Sequence, residues 1–176
     1  MNYLLTGQET ERLKFRTLQP DDFDTWLPMF KADNIAKFLD LDSTLSEFEL
    51  CKRWFEKAFN RYDHNLGGMN VLIDKKSDQL VGQCGVLVQM VEDIERLEIG
   101  YSVLPKFWGR GYASEAALKC KNYAFEHNFS DVLMSMIHVD NISSKKVALR
   151  NGMTFEKQIK NFNIFSIHKE RWKLTQ

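Results

Sequence analysis

The sequence predicts a mixed α/β fold in which a largely antiparallel sheet of about seven strands is flanked by four helices. Three observations support this prediction. Strand-like segments follow one another across short turns that contain glycine or polar residues, as in hairpins. Amphipathic helical patterns occur both before and after these hairpins. A glycine-rich loop, Pro105 to Ala116, connects a strand to a helix. This combination is typical of a sheet that mixes parallel and antiparallel neighbours.

The composition is that of an ordinary globular protein. The 176 residues suffice for one domain, which we expect to span residues 1–176, and 44% of them are hydrophobic. Lys+Arg and Asp+Glu both number 24, so the chain lacks the excess of positive charge with which proteins bind nucleic acid non-specifically. We therefore expect no nucleic-acid partner, and we expect any anion site to be local.

The cysteines and the lack of long apolar runs favour a location in the reducing cytoplasm. Cys51, Cys84 and Cys120 are odd in number and far apart, which is typical of buried thiols in a reducing compartment. Neither they nor the four histidines have metal-ligand spacing. The opening MNYLLTGQE lacks the pattern of a secretory leader, and no run approaches the ~18 apolar residues of a membrane span. We expect a cytoplasmic protein with no metal and no membrane partner.

The N-terminal part predicts a strand, two helices and then a hairpin. Alternation over Arg12 to Leu18 predicts the first strand. Pro20 and the two acidic residues after it suit the first turn of a helix. Asp33 to Asp42 predicts a turn with a short helical piece. Thr44 and Glu47 have the spacing of a capping box, so the second helix should begin there. The two hairpin strands are expected at 69–73 and 79–90.

The C-terminal part predicts four strands and two helices. Glu95 to Leu104 forms the strand that ends at Pro105, and the helix after the glycines has a face of small residues that allows close packing on a sheet. Asn128 is a suitable left-handed stop for that helix. The remaining elements are a buried strand at 132–139, a short helix that Asp140 or Asn141 caps and Gly152 ends, and strands at 154–159 and 164–174.

The loop PKFWGRGYASEA has the properties of a phosphate site. Gly109 and Gly111 let the backbone approach an anion closely, and the free N–H groups of the following helix's first turn lie at the positive end of its dipole. A P-loop would need a Gly-Lys-Ser/Thr ending, which is absent. A dinucleotide fingerprint would need another glycine and a position in an opening βαβ unit. Both of these alternatives fit poorly.

At three places the sequence resembles the GNAT superfamily of N-acetyltransferases, and within it the RimJ/RimL-like branch. The matching blocks are ERLKFR near the start, LEIGYSVLPKFWGRGYASEA at 97–116 and NISSKKVALRNGM at 141–153. The resemblance covers nearly the whole chain in order and spacing. It implies a GNAT-like fold, in which the strand before the loop splays from the next central strand and leaves a cleft for the pantetheine arm of acetyl-CoA.

The resemblance also implies which residues hold the co-substrate acetyl-CoA. The loop would bind the pyrophosphate through backbone amides, with Lys106 at a position where the family commonly has Gln or Arg. A backbone N–H near Val103 would polarise the thioester carbonyl and stabilise the oxyanion. Asn141 is expected near the pantetheine, although an N-cap role explains it equally well. The expected co-substrate-binding residues are Tyr101, Val103, Leu104, Trp108, Gly109, Arg110, Gly111, Tyr112, Ala113, Ser114, Asn141 and Lys146.

The proton chemistry is less determined. Glu98 is the candidate base, acting through water, although a strand glutamate is often simply solvated or paired. Many GNAT enzymes use a tyrosine as general acid at the position of Ala148, so this chain lacks the usual acid. Ser144 is the candidate replacement, against the alternative of a local backbone hydrogen bond. The catalytic candidates are thus Glu98 and Ser144.

These residues predict an acetyl-CoA-dependent transfer to a primary amine. Neutralising an α-amine of pKa about 8 at pH 7 costs roughly 1.4 kcal/mol, whereas a lysine of pKa about 10.4 costs roughly 4.6 kcal/mol. A site without a strong base therefore favours a protein N-terminus or a small amine. The alternative is a CoA-binding module with little or no catalysis. The acceptor itself, a longer acyl donor, and the choice between monomer and homodimer stay open.

Overall fold

Seven strands form one sheet within residues 3–174, the part of the chain that the computed structural model describes. Every neighbouring pair is antiparallel except β4 and β5, which are parallel. The spatial order is β1-β2-β3-β4-β5-β7-β6. The strands are β1 Leu13–Arg16, β2 Gly67–Asp74, β3 Leu80–Val91, β4 Ile94–Val103, β5 Val132–His138, β6 Thr154–Ile159 and β7 Phe162–His168. The mixed α/β prediction and its seven strands are confirmed.

Residues 3–174 contain six α-helices, where the sequence predicted four flanking helices. Of the two beyond these four, Ile35–Phe38 is the short helical piece expected within Asp33 to Asp42, whereas Lys169–Lys173, five residues long, was not predicted. The longest, α3, begins with a capping box in which Ser46 accepts from the N–H of Glu49. The helices are α1 Phe23–Trp26, α2 Ile35–Phe38, α3 Glu47–Asp63, α4 Tyr112–Glu126, α5 Ile142–Arg150 and α6 Lys169–Lys173.

Two predicted boundaries are wrong. The capping box lies two residues later than Thr44 and Glu47, because the Thr44 hydroxyl donates to Asp42 instead, at 2.6 Å, and closes the preceding turn. The last strand was expected to continue to residue 174, but β7 ends at His168. The chain then forms α6, whose Trp172 is buried against Phe125 of α4 at 5.4 Å between ring centroids. The tertiary packing of Trp172 therefore determines where β7 ends.

The central strands diverge, as the resemblance implied. The parallel pairing of β4 with β5 is limited to Leu97 opposite Leu133 and Glu98 opposite Met134. Beyond Glu98 the two strands no longer pair, although β4 stays paired with β3 as far as Val103. A wedge-shaped gap therefore opens in the middle of the sheet, with Glu98 at its apex.

The helices cover both faces of the sheet. Successive residues of a strand point to opposite faces. Tyr101 of β4 contacts α5, whereas Glu98 is connected to Arg61 of α3 through Gln89, so α3 and α5 lie on opposite faces. On the α5 side, α4 packs against β3 and β4, and buried small residues of α4 such as Ala116 and Ala117 make this close packing possible. The three cysteines are buried and form no disulfide.

Candidate active site

The glycine-rich loop presents backbone N–H groups at the start of α4. Gly109 has φ +75° and Gly111 has φ +82°, which is the left-handed region that glycine adopts without strain. No side chain caps the helix at Gly111. Because the first N–H groups of a helix have no intrahelical acceptor, those of Tyr112, Ala113 and Ser114 are available to an anion. The loop therefore has the geometry of an anion site.

Arg12, which precedes β1, binds this loop and the first turn of α4 through its guanidinium. Its Nε donates to Glu115 Oε2 at 2.6 Å, and its Nη1 donates to the carbonyl oxygen of Arg110 at 3.0 Å. Its guanidinium also lies 4.7 Å from the ring centroid of Tyr112. Burial by itself would raise the pKa of the Glu115 carboxyl, but hydrogen bonds from Thr10 and Arg12 outweigh it and lower that pKa. Sequence reasoning missed Arg12, because nothing local connects it to a loop about one hundred residues away.

The basic side chains around the loop pack against aromatic rings. Phe107 is buried, and the charged groups of Lys106 and Arg110 lie 4.8 Å and 5.3 Å from its ring centroid. The hydroxyl of Tyr112 donates to Asp74 Oδ1 at 2.9 Å. Burial and this hydrogen bond both raise the pKa of Tyr112. The ring of Tyr112 therefore fixes the first turn of α4 to the end of β2.

The edge of β4 that faces the gap carries backbone groups suited to an extended ligand. Backbone groups of alternate residues point to the same side of a strand. The carbonyl oxygen of Ile99 accepts from the Ser135 hydroxyl of β5 at 2.8 Å, so Ile99, Tyr101 and Val103 direct their backbone groups toward the gap. Leu104 differs, because its N–H donates to Val81 of β3 at 2.9 Å. Among the predicted pantetheine contacts, Tyr101 and Val103 have their amides on the correct side.

Trp108 closes the outer end of this edge. Its indole is about half exposed, and its Nε1–H donates to the carbonyl oxygen of Val103 at 2.6 Å. That carbonyl is one of the groups with which an extended ligand would pair.

The start of α5 faces the gap from the other side. Asn141 caps the helix by accepting from the N–H of Ser144 at 3.1 Å. Tyr101 spans the gap, and its hydroxyl donates to the carbonyl oxygen of Ser144 at 2.7 Å. Burial raises the pKa of Tyr101, so its hydroxyl is protonated. Ala148 is buried beside this contact, and Lys146 is exposed on the outer surface of α5.

Glu98 lies at the apex of the gap and faces α3. Its Oε2 accepts from Gln89 Nε2 at 2.7 Å, and its Oε1 accepts from the N–H of Met136 at 3.2 Å. Burial raises the pKa of the Glu98 carboxyl, although the two hydrogen bonds and the charge of Arg61 oppose the rise. A carboxyl with a raised pKa at such a position is suited to accept a proton near neutral pH. Glu98 and Ser144 lie on opposite sides of the gap, one toward α3 and one on α5.

α2 covers the far end of β5. The ring of Phe38 lies 5.7 Å from that of the buried His138, and Lys37 forms an ion pair with Asp140 at 2.6 Å. The gap is therefore bounded on the α3 face by α2. Two surface cavities of about 400 and 430 Å³ lie elsewhere, one between α2 and α3 and one beside Arg12 and Arg110.

Within residues 3–174, no group of three or more His, Cys, Asp or Glu side chains has the arrangement of a metal site. In the same range, no helix is long and apolar enough to cross a membrane.

Comparison with known proteins identifies the family. The profile of the acetyltransferase (GNAT) domain matches residues 12–154. The uncharacterized protein YkkB of Bacillus subtilis is 29% identical over 156 residues, which is 88% of this chain and 88% of YkkB. An acetyltransferase of Agrobacterium tumefaciens, known from a crystal structure, superposes with a TM-score of 0.78 at 21% identity and covers 96% of this chain and 97% of its own.

A structure of a RimL ribosomal L7/L12 alpha-N-protein acetyltransferase in complex with coenzyme A has the same fold. It superposes with a TM-score of 0.74 at 15% identity and covers 92% of this chain and 97% of its own. The sequence prediction of a GNAT protein with RimJ/RimL-like relatives is therefore confirmed. Because the profile spans residues 12–154, the chain belongs to the GNAT acetyltransferase domain family.

Proposed function

We propose that this acetyltransferase moves the acetyl group of acetyl-CoA directly onto a primary amine, without a covalent enzyme intermediate. The observation that carries the proposal is the alignment of three features along one groove. The loop amides at Gly109 to Ser114 suit a pyrophosphate, the gap-facing edge of β4 suits the pantetheine, and Glu98 lies at the inner end. Together they match a long co-substrate whose reactive end lies beside a base.

The chemistry follows from these positions. Glu98, directly or through a water molecule, accepts a proton from the ammonium form of the acceptor, and the neutral nitrogen then attacks the thioester carbon. A gap-facing backbone N–H of β4, such as that of Tyr101, donates to the oxyanion of the tetrahedral intermediate. As the intermediate collapses, the C–S bond breaks and CoA leaves as a thiolate. The nitrogen loses its second proton to water, and the thiolate takes up a proton through the Ser144 hydroxyl, which receives one from water in the same step.

We infer that the acceptor is an amine that loses its proton easily, such as a protein N-terminus or a small amine. The single carboxylate at the apex is a weak base, which suits an α-amine better than a lysine by about 3 kcal/mol of deprotonation cost at pH 7. The cytoplasmic location, the single domain over residues 1–176 and the choice between monomer and homodimer stay predictions.

A thiol assay separates this function from its alternative. Wild-type protein is mixed with acetyl-CoA and three acceptor types, namely peptides with a free N-terminus, the same peptides with a blocked N-terminus and an internal lysine, and small polyamines. Release of CoA is followed with DTNB. We expect turnover with the first or third type and little with the second. Calorimetric binding of acetyl-CoA without turnover on any amine would support the CoA-binding module.

Arg12→Met is expected to weaken CoA binding about tenfold. The substitution removes the hydrogen bonds and the ion pair that hold Glu115 and the Arg110 carbonyl, so the loop loses its preorganised shape. Calorimetry with CoA measures the effect. Lys14→Met is the matched control, since Lys14 is exposed on the adjacent strand. Equal affinity of the Arg12→Met and Lys14→Met proteins would contradict the anchoring role of Arg12.

Ser144→Ala is expected to lower kcat about tenfold or less and to leave KM for acetyl-CoA unchanged. The effect is small because a thiol has a pKa near 8.5, so the thiolate leaves without strong acid assistance. Tyr101→Phe is the companion variant, because it removes the hydroxyl that donates to Ser144. For this variant we expect a loss of about 1 kcal/mol of stability instead. If Tyr101→Phe produced the larger fall in kcat, the general acid would be Tyr101.

A further inference from the structure

Arg61 of α3 is a buried guanidinium whose described hydrogen bonds all go to neutral oxygens. Its Nη1 donates to the carbonyl oxygens of Leu66 at 3.2 Å and Val88 at 2.9 Å, and its Nη2 donates to Gln89 Oε1 at 3.0 Å. Only 9% of its surface is exposed. A buried cation without a direct carboxylate partner is costly, because burial favours the uncharged form and opposite charges normally compensate it. The burial of Arg61 at this position therefore suggests a functional role.

Gln89 connects this cation to the base. A guanidinium can only donate hydrogen bonds, so the amide oxygen of Gln89 must face Arg61. Its NH₂ group must then face Glu98, to whose Oε2 it donates at 2.7 Å. The orientation of the amide is thus determined by Arg61, and the NH₂ group has an acceptor only if Glu98 presents an oxygen with a free lone pair. The second oxygen of Glu98 is held by the N–H of Met136.

We propose that Arg61, acting through Gln89, is a positioning residue that holds the Glu98 side chain at the apex of the gap as an ionised carboxylate. This proposal rests on the proposed function, in which Glu98 is the base. The relay Arg61–Gln89–Glu98 explains how a partly buried carboxyl stays available for proton transfer. It also explains why the Gln89 side chain lies between the guanidinium and the carboxylate. A direct ion pair would lower the pKa of Glu98 and make it too weak a base.

Few other charged groups surround Glu98. Lys57 lies on α3 with Arg61, and both charges act to lower the pKa of Glu98. Arg96 lies two residues earlier on β4 and is bound to Glu156 of β6. On β5 the contact is the N–H of Met136, with His138 two residues further on. Tyr101 lies on the opposite face of β4. Gln89 of β3 therefore provides the described hydrogen-bonded connection between Arg61 of α3 and Glu98.

Gln89→Met tests the relay. Methionine has similar length but removes both hydrogen bonds, so the carboxylate loses a donor and its proton affinity should rise. We expect the pKa of Glu98, followed by ¹³C NMR of the labelled carboxyl, to rise by about one unit. The acidic limb of the kcat/KM profile should move to higher pH by a similar amount, while the value at high pH stays within a few-fold of wild type. Arg61→Lys, which keeps the charge but loses the planar fork, should move the limb less.

Gln158→Met is the matched control, since Gln158 bonds only locally to the Lys160 carbonyl on β6. An unchanged Glu98 titration in Gln89→Met would overturn the relay, whatever the kinetics show. If wild-type protein turned over no amine, the proposed function would fail, but the NMR titration would still decide whether Arg61 and Gln89 control this carboxyl. A fall in kcat at all pH values with an unmoved limb would assign Gln89 a merely structural role and would also overturn the relay.

Discussion

Gly109→Val is expected to raise the dissociation constant for CoA by about 100-fold or more, with the fold retained. Gly109 has φ +75°, and no heavy atom lies within 4 Å of the position a Cβ would take, so the cause is backbone strain and not a clash. A left-handed conformation costs about 1–2 kcal/mol for a non-glycine residue. The loop would relieve this strain by turning, which removes charge-assisted hydrogen bonds worth about 1.5–3 kcal/mol each. Calorimetry with CoA measures the loss.

Gly7→Val is the control for strain alone. Gly7 has φ +82°, and its Cβ position is equally open, but it lies in the turn before β1. The two variants should lose similar stability in a thermal melt, and the variant in the glycine-rich loop should lose far more affinity. An unchanged affinity in the Gly109→Val protein would refute the assignment of the loop as the pyrophosphate site.

Glu98→Gln is expected to lower kcat by about 10²–10⁴-fold at pH 7, because it removes the proton acceptor while keeping the length of the side chain. The defect should shrink as the pH rises toward 9, because the amine then loses its proton to solvent. CoA affinity should be unchanged, since Glu98 faces α3 and lies at the inner end of the groove. Measurement of kcat from pH 6 to 9 with the best acceptor checks both statements.

Glu95→Gln provides the comparison for Glu98, because Glu95 is exposed and three residues earlier on the same strand. Its kcat should equal that of wild type. The competing interpretation is that Glu98 only satisfies the Met136 N–H at the point where β4 and β5 separate. In that case the Glu98→Gln protein would lose stability and keep its kcat, an outcome that would exclude Glu98 as the base.

Local patterns were sufficient for most of the fold. Alternation in the first strand and an N-cap at Asp140 or Asn141 are short-range features, and the structure has the first in β1 and the second at Asn141. The boundaries that failed depended on choices between similar neighbours. Thr44 and Ser46 are both suitable N-caps, but the Thr44 hydroxyl donates to Asp42 and does not cap the helix. The end of β7 depends on where Trp172 packs.

The candidate site also has parts that the sequence could predict and parts that it could not. The position of the glycine-rich loop before α4 could be predicted, because glycines next to a helical pattern are a short-range feature. Arg12, Gln89 and Arg61 could not be predicted, since each acts through a contact between segments far apart in sequence. The role of Tyr101 also depends on the gap, because its hydroxyl reaches Ser144 only where β4 and β5 have separated.

The sequence by itself therefore determined the family, most of the order of the elements and the position of the glycine-rich loop, because these depend on residue types at short spacing. Only the tertiary structure decided how Glu98, the proposed base, is held. It placed Glu98 at the apex of the gap, gave one carboxylate oxygen to the Met136 N–H and the other to Gln89, and buried Arg61 behind them. The physical reason is that the proton affinity of a carboxyl depends on burial and on nearby charges, which are properties of three-dimensional contacts.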